Sequence, residues 1–157
     1  MKRLITVVGI AVLAFAAVGS AGAQSDPRIG TWKLNLEKSI YSPGPPPRSE
    51  TRTYKAQGSD IVASAESVDA EGNPISVRYT ANADGKDYPM TGSVTTDAIT
   101  IRRIDANTFE ADGKKGGKVR GTTRMTISKD RKVLTLTTKG TNARVQAINN
   151  VAVFDKQ

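Results

Sequence analysis

Val119-Arg120-Gly121-Thr122-Thr123-Arg124-Met125-Thr126-Ile127 reads as a β-strand with two different faces. Val119, Thr123, Met125 and Ile127 fall on one side, and Arg120, Thr122, Arg124 and Thr126 on the other, because successive side chains of an extended chain point in opposite directions. The branched Cβ atoms of Thr, Val and Ile suit such a pleated surface. The same period recurs elsewhere. Trp32, Leu34 and Leu36 alternate with Lys33 and Asn35, and Ile75, Val77 and Tyr79 with Ser76, Arg78 and Thr80. Leu134 and Leu136 lie between Thr135 and Thr137, and Val151 and Val153 stand near the C-terminus. No window past the first two dozen residues keeps apolar residues at the i, i+3, i+4, i+7 spacing of an amphipathic helix.

Turn residues separate these runs: Gly58-Ser59, Asp69 to Pro74, Asp84-Gly85, Asp105 to Asn107, Gly113 to Lys118, Lys129 to Arg131, and Gly140 to Asn142. Short strands at regular spacing predict an all-β antiparallel meander of about ten strands. Closure into a barrel is expected because it removes unpaired edges, and neither terminal strand carries an interior proline to blunt pairing. Tyr41-Ser42-Pro43-Gly44-Pro45-Pro46-Pro47 breaks the rhythm, its three consecutive prolines setting an extended, non-helical loop.

Composition narrows the chemistry. The chain has 157 residues, no Cys and no His. Thiolate nucleophiles, imidazole bases and Cys/His zinc sites are therefore excluded. The length suits one domain with a core of its own. No cofactor or metal is expected.

The N-terminus carries a processing signal. Met1-Lys2-Arg3 precedes an apolar run from Leu4 to Val18, and Ala21-Gly22-Ala23 offers an A-x-A cleavage site. That run has 15 residues, fewer than the roughly 20 a membrane-spanning helix needs. Residues 1–23 are read as a secretory signal peptide and 24–157 as a single barrel domain. The expected location is periplasmic or secreted, and a monomer is expected.

Gly30-Thr31-Trp32-Lys33-Leu34 resembles the G-x-W opening of lipocalins and the G-T-W-K-L opening of fatty-acid-binding proteins, and Val153-Phe154-Asp155-Lys156 is similar to the ending of the latter. Together with Lys38-Ser39, Ser42-Pro43-Gly44-Pro45 and Asp84-Gly85-Lys86-Asp87-Tyr88-Pro89, these segments resemble small exported bacterial lipocalin-like proteins of unassigned function. The resemblance implies a lipocalin-like or fatty-acid-binding-protein-like barrel holding a small apolar or amphipathic ligand. The helical lid of the fatty-acid binders has no counterpart, since the Pro-rich loop takes its place. Their carboxylate clamp, an Arg and a Tyr on the last strand, falls on Ala152 and Phe154, which supply neither cation nor hydroxyl.

The candidate ligand-contact residues are Trp32, Tyr54, Tyr79, Arg103, Phe109 and Met125. In lipocalins the residue matching Trp32 plugs the barrel base, a structural role. Arg103 shares a strand face with Ile99 and Ile101, so of the pair Arg102-Arg103 it is the inward one. A buried guanidinium needs an anionic partner; a strand-end position would let it reach water instead. Tyr54, Tyr79, Phe109 and Met125 read either as cavity lining or as plain core.

Other motifs dissolve on inspection. Gly113 to Lys118 is a residue short of a phosphate loop, lacks its Ser or Thr, and precedes a strand. Asp69-Ala70-Glu71-Gly72-Asn73-Pro74 lacks the alternating acids and distal Glu of a calcium loop. Acid pairs such as Glu66 and Glu71 are not placed across a cleft by anything in the pattern, so an enzyme is not expected. Charge is uneven: residues 24–90 carry 8 basic and 9 acidic side chains, residues 91–157 carry 13 and 6. Lys114, Lys115, Lys118, Arg120 and Arg124 could form a basic stripe, with Arg120 and Arg124 on one wet strand face. No aromatic residue lies between Glu110 and Asn150 to stack on bases, which argues against nucleic acid.

Two readings of function follow. One is an exported, non-enzymatic binding protein with a small apolar or amphipathic molecule inside its barrel. The other is a solid-cored module that docks on anionic lipid or polyanion through its basic C-terminal half.

Overall fold

Period-two segments bury one face only when they find partners on both sides, and here every one does. The computed structural model describes residues 25–157; the proposed signal peptide lies outside them. Ten strands run in chain order: β1 (Gly30–Leu34), β2 (Ser49–Gln57), β3 (Asp60–Val68), β4 (Pro74–Ala81), β5 (Asp84–Thr91), β6 (Ala98–Arg103), β7 (Thr108–Lys115), β8 (Lys118–Ile127), β9 (Val133–Thr141) and β10 (Ala147–Lys156). Each pairs antiparallel with its sequence neighbours, and β1 pairs with β10, closing the barrel. Among the described residues the sole helical element is one 3-10 turn, Leu36–Lys38, capped by the Asn35 side chain.

The meander makes the two ends different. One end holds the β2–β3, β4–β5, β6–β7 and β8–β9 turns together with both described termini; it is filled. Trp32, Phe109, Ile127, Leu134 and Phe154 are buried there and below the barrel's middle, each worth about 1.5–3 kcal/mol of transfer from water. The Trp32 indole donates to the Arg28 carbonyl at 2.8 Å. Arg28 lies across the Phe109 ring, its Cζ 4.2 Å from the centroid, and is clasped by Asp26 through contacts of 3.0 and 2.8 Å. The opposite end carries the Pro-rich loop and the β3–β4, β5–β6, β7–β8 and β9–β10 connections, and it is open.

Several local expectations need correction. Leu36 is exposed, because β1 ends at Leu34 and the 3-10 turn rotates Leu36 outward. In β10 the inward residues include Ile148, Ala152 and Phe154, while the Val151 backbone pairs with Ile40 across the outer seam. Asp84-Gly85 lies within β5, at a register shift against β6, rather than in a turn. The connection from Gly92 to Asp97, unmarked in the sequence reading, joins β5 to β6. The register slips again at Gly113/Lys114 in β7. Val119 lies beyond that slip and is exposed.

Candidate functional site

β2 places Glu50, Arg52 and Tyr54 on its inner face, and opposite them β6 to β9 contribute Ile99, Ala111, Met125 and Leu136. Between these walls lies a cavity of about 360 Å3, in the lower part of the range of small-molecule sites, ~300–1,000 Å3. Ala63, Ala65, Val77, Tyr79 and Met90 complete its middle, and Ser93, Thr95, Thr96, Arg120, Thr141 and Ile148 its open rim. The barrel is therefore not solid-cored, because small residues stand where the facing walls would otherwise meet.

The polar groups are concentrated on β2. Arg52 Nε stands 2.6 Å from Glu50 Oε1, with side chains 26% and 13% exposed. The two groups meet as charges, without an aligned N–H···O bond, and Tyr54 Oη, deep in the wall, has no hydrogen-bond partner among the described residues. Burial opposes the Arg52 charge, but the Glu50 carboxylate and Tyr54 outweigh it and hold the guanidinium above its ordinary range. Arg52 also lies over the Phe154 ring, Cζ to centroid 5.5 Å. Burial drives the Tyr79 phenol well above its ordinary range, with Tyr54 adding to the shift and Arg52 opposing it, so it stays a neutral hydroxyl. Tyr41, at the start of the Pro-rich loop, is pushed up to about 12 by burial and then by Glu50.

Of the six residues singled out in the sequence, Tyr54, Tyr79 and Met125 line the cavity. Trp32 and Phe109 are buried in the closed end, outside that lining. Arg103 terminates β6 there and is exposed, donating to the carbonyls of Asp105 and Ala106 at 3.1 and 3.0 Å. The inward face it shares with Ile99 and Ile101 is real, but the strand ends before the residue can reach the interior. Its neighbour Arg102 lies on the outer wall between Glu110 and Asp112.

Arg52 and Glu50 are the polar lining that sequence reasoning missed. A signal existed: Glu50, Arg52 and Tyr54 alternate with Thr51 and Thr53, so an inward Tyr54 requires an inward Arg52 and Glu50. Arg120, expected on a wet strand face, lines the rim instead because of the register slip at Gly113/Lys114. Lys114 and Lys115 are tied to Asp87 and Asp97 at 2.6 and 3.8 Å rather than free in a stripe. The segment from Asp69 to Asn73 is a turn, with Asp69 Oδ1 accepting from the Gly72 and Asn73 amides.

No protein-family model matches the sequence. No curated protein matches it either. Among solved structures, EF1p2_mFAP2b bound to DFHBI is similar over 83% of this chain and 94% of its own, with 10% identity and a TM-score of 0.49. Zebrafish ileal bile acid-binding protein complexed with cholic acid is similar over 83% of this chain and 99% of its own, with 13% identity and a TM-score of 0.52. At that identity the likeness bears on architecture: the described residues form a fatty-acid-binding-protein-like closed barrel, with no helical lid among them.

Proposed function

We propose that this chain is an exported, non-enzymatic binding protein that carries a small apolar or amphipathic molecule inside its barrel. The observation that supports this most is the cavity of about 360 Å3 between the β2 wall and the apolar side chains of β6 to β9. A site of that kind, apolar with a few converging polar groups, is the usual form of a small-molecule pocket. The zebrafish protein of the same architecture is a bile acid-binding protein complexed with cholic acid, a precedent for the ligand class. Export rests on the signal-like N-terminus.

Native mass spectrometry of the purified protein tests the reading. Co-purifying small molecules that leave on denaturation are the expected result, and Ala65→Phe, which fills the cavity, should abolish them. Spectra free of any small molecule, with no uptake from an apolar panel, would overturn it.

A second reading concerns the open end. Val94 and Val145 are 81% and 75% exposed there, beside the exposed Val119, and among the described residues Lys118, Arg120 and Arg144 make no ion pair. Apolar tips among free cations suit an anionic lipid surface. Co-sedimentation with phosphatidylserine vesicles that falls with salt and is lost in Lys118→Glu/Arg144→Glu would support that surface; binding indifferent to both would remove it.

A further inference from the structure

We propose that the cavity selects a ligand whose polar end is uncharged, a hydroxyl or carbonyl on an apolar body, and that Glu50 and Arg52 hold that end. The inference rests on the reading of the barrel as a carrier and goes on to name its ligand class. Arg52 alone would invite a carboxylate, but Glu50 Oε1 stands 2.6 Å from its Nε and cancels its field. A carboxylate brought to Arg52 meets a second carboxylate at nearly the same distance. The attraction and repulsion offset each other, and the cost of stripping water from the incoming charge remains.

An uncharged oxygen fits what is left. Tyr54 Oη is buried, 1% exposed as a residue, and without a hydrogen-bond partner among the described residues. Glu50 Oε1 and Arg52 Nε likewise lack an aligned bond. Through the parts of Glu50 and Arg52 that line the cavity the wall offers an acceptor and donors, with the Tyr54 hydroxyl enclosed in the same wall. A ligand hydroxyl can donate to the Glu50 carboxylate while accepting from the Arg52 guanidinium, and a carbonyl can accept from Arg52, the two side chains being 13% and 26% exposed. Leaving such buried groups unmatched is costly, which is why sites built to hydrogen-bond a ligand discriminate strongly. The facing wall, with Ile99, Met125 and Leu136, accepts the apolar body, so the ligand lies with its oxygen toward β2.

Calorimetric titration with dodecanol, 2-dodecanone, dodecanoate and dodecane at neutral pH tests the proposal. The dodecanoate carboxylate is ionised there. Dodecanol and 2-dodecanone should bind about tenfold or more tighter than dodecanoate, a free-energy difference of ~1.4 kcal/mol or more. Glu50→Gln should free the Arg52 charge and raise dodecanoate affinity about tenfold, reversing the order. Glu50→Leu/Arg52→Met should weaken dodecanol several-fold while leaving dodecane unchanged. Dodecanoate binding tightest to the unaltered protein overturns the proposal, and so does equal affinity for all four compounds; both leave the carrier reading standing. Failure of all four to bind overturns the carrier reading along with it.

Discussion

Glu50 and Arg52 lie two residues apart on one face of β2, with Arg52 Nε 2.6 Å from Glu50 Oε1 inside the barrel. Each charge is tolerable there only because of the other. Arg52→Met leaves Glu50 in the cavity wall without a counter-charge, and breaking a buried pair in this way costs about 3 kcal/mol. The double variant Glu50→Leu/Arg52→Met removes both charges and should recover most of that loss. Urea unfolding of the unaltered protein, Glu50→Leu, Arg52→Met and the double variant measures the coupling. Equal and additive losses in the two single variants would show that the pair carries no stability.

Asp26 closes the barrel's filled end by holding Arg28, whose side chain is 3% exposed. Asp26→Asn should cost about 3 kcal/mol, since it leaves that guanidinium buried over Phe109 without its anion. Burial pushes the Asp26 carboxyl up, but the Arg28 contacts outweigh it and hold the group below its ordinary 3.8. Its contribution is therefore complete above that value and is lost as pH falls through the lower folded-state value. Thermal unfolding from neutral pH down to about pH 2 should show that acid limb shrinking in Asp26→Asn.

Alternation in the sequence was enough to read an all-β barrel of about ten strands, since a two-residue period names which side chains share a face. It does not say how far along the barrel axis a residue lies. Arg103 has the right face and the wrong height: Ile104, immediately after it, is already exposed in the β6–β7 turn. Arg52 has both face and height, but its neighbours Thr51 and Thr53 gave no apolar contrast that would draw attention to β2. Val119 is exposed and Arg120 reaches the cavity rim because the register slip at Gly113/Lys114 is a property of two strands together. The hollow interior depends on which side chains face one another across the barrel, and one strand's pattern cannot supply that.

Gly92 governs the barrel's thinnest seam. β4 and β5 share only the register pairs Arg78↔Thr91 and Tyr79↔Met90. Just beyond them Gly92, at φ +84°, passes so close to β4 that a Cβ would overlap the Ser76 carbonyl oxygen. Gly92→Ala combines a left-handed backbone with overpacking against main chain, a loss of about 3 kcal/mol. Amide exchange in β4 and β5 should accelerate more than in β8 and β9, because the seam opens locally before the barrel unfolds. Uniform acceleration across all strands would mean that the seam has no weakness of its own.

Tyr41 reports the state of the open end. Its phenol is raised from 10.0 to about 12, first by burial beside the Pro-rich loop and then by the Glu50 carboxylate, with Arg52 opposing. A raised folded-state value means that the folded barrel favours the neutral phenol. The resulting stability is complete below pH 10.0 and is lost as pH rises through about 12. Tyr41→Phe should thus flatten the decline in unfolding free energy over that interval, followed by urea titration at successive pH values. Glu50→Gln should move the Tyr41 ionisation downward in a phenolate absorbance titration, because removing the carboxylate leaves burial as the raising influence and Arg52 unopposed on the other side. An unchanged Tyr41 titration in Glu50→Gln would place the two groups outside each other's field, and with it weaken the picture of Glu50 as the charge that sets the electrostatics of the cavity mouth.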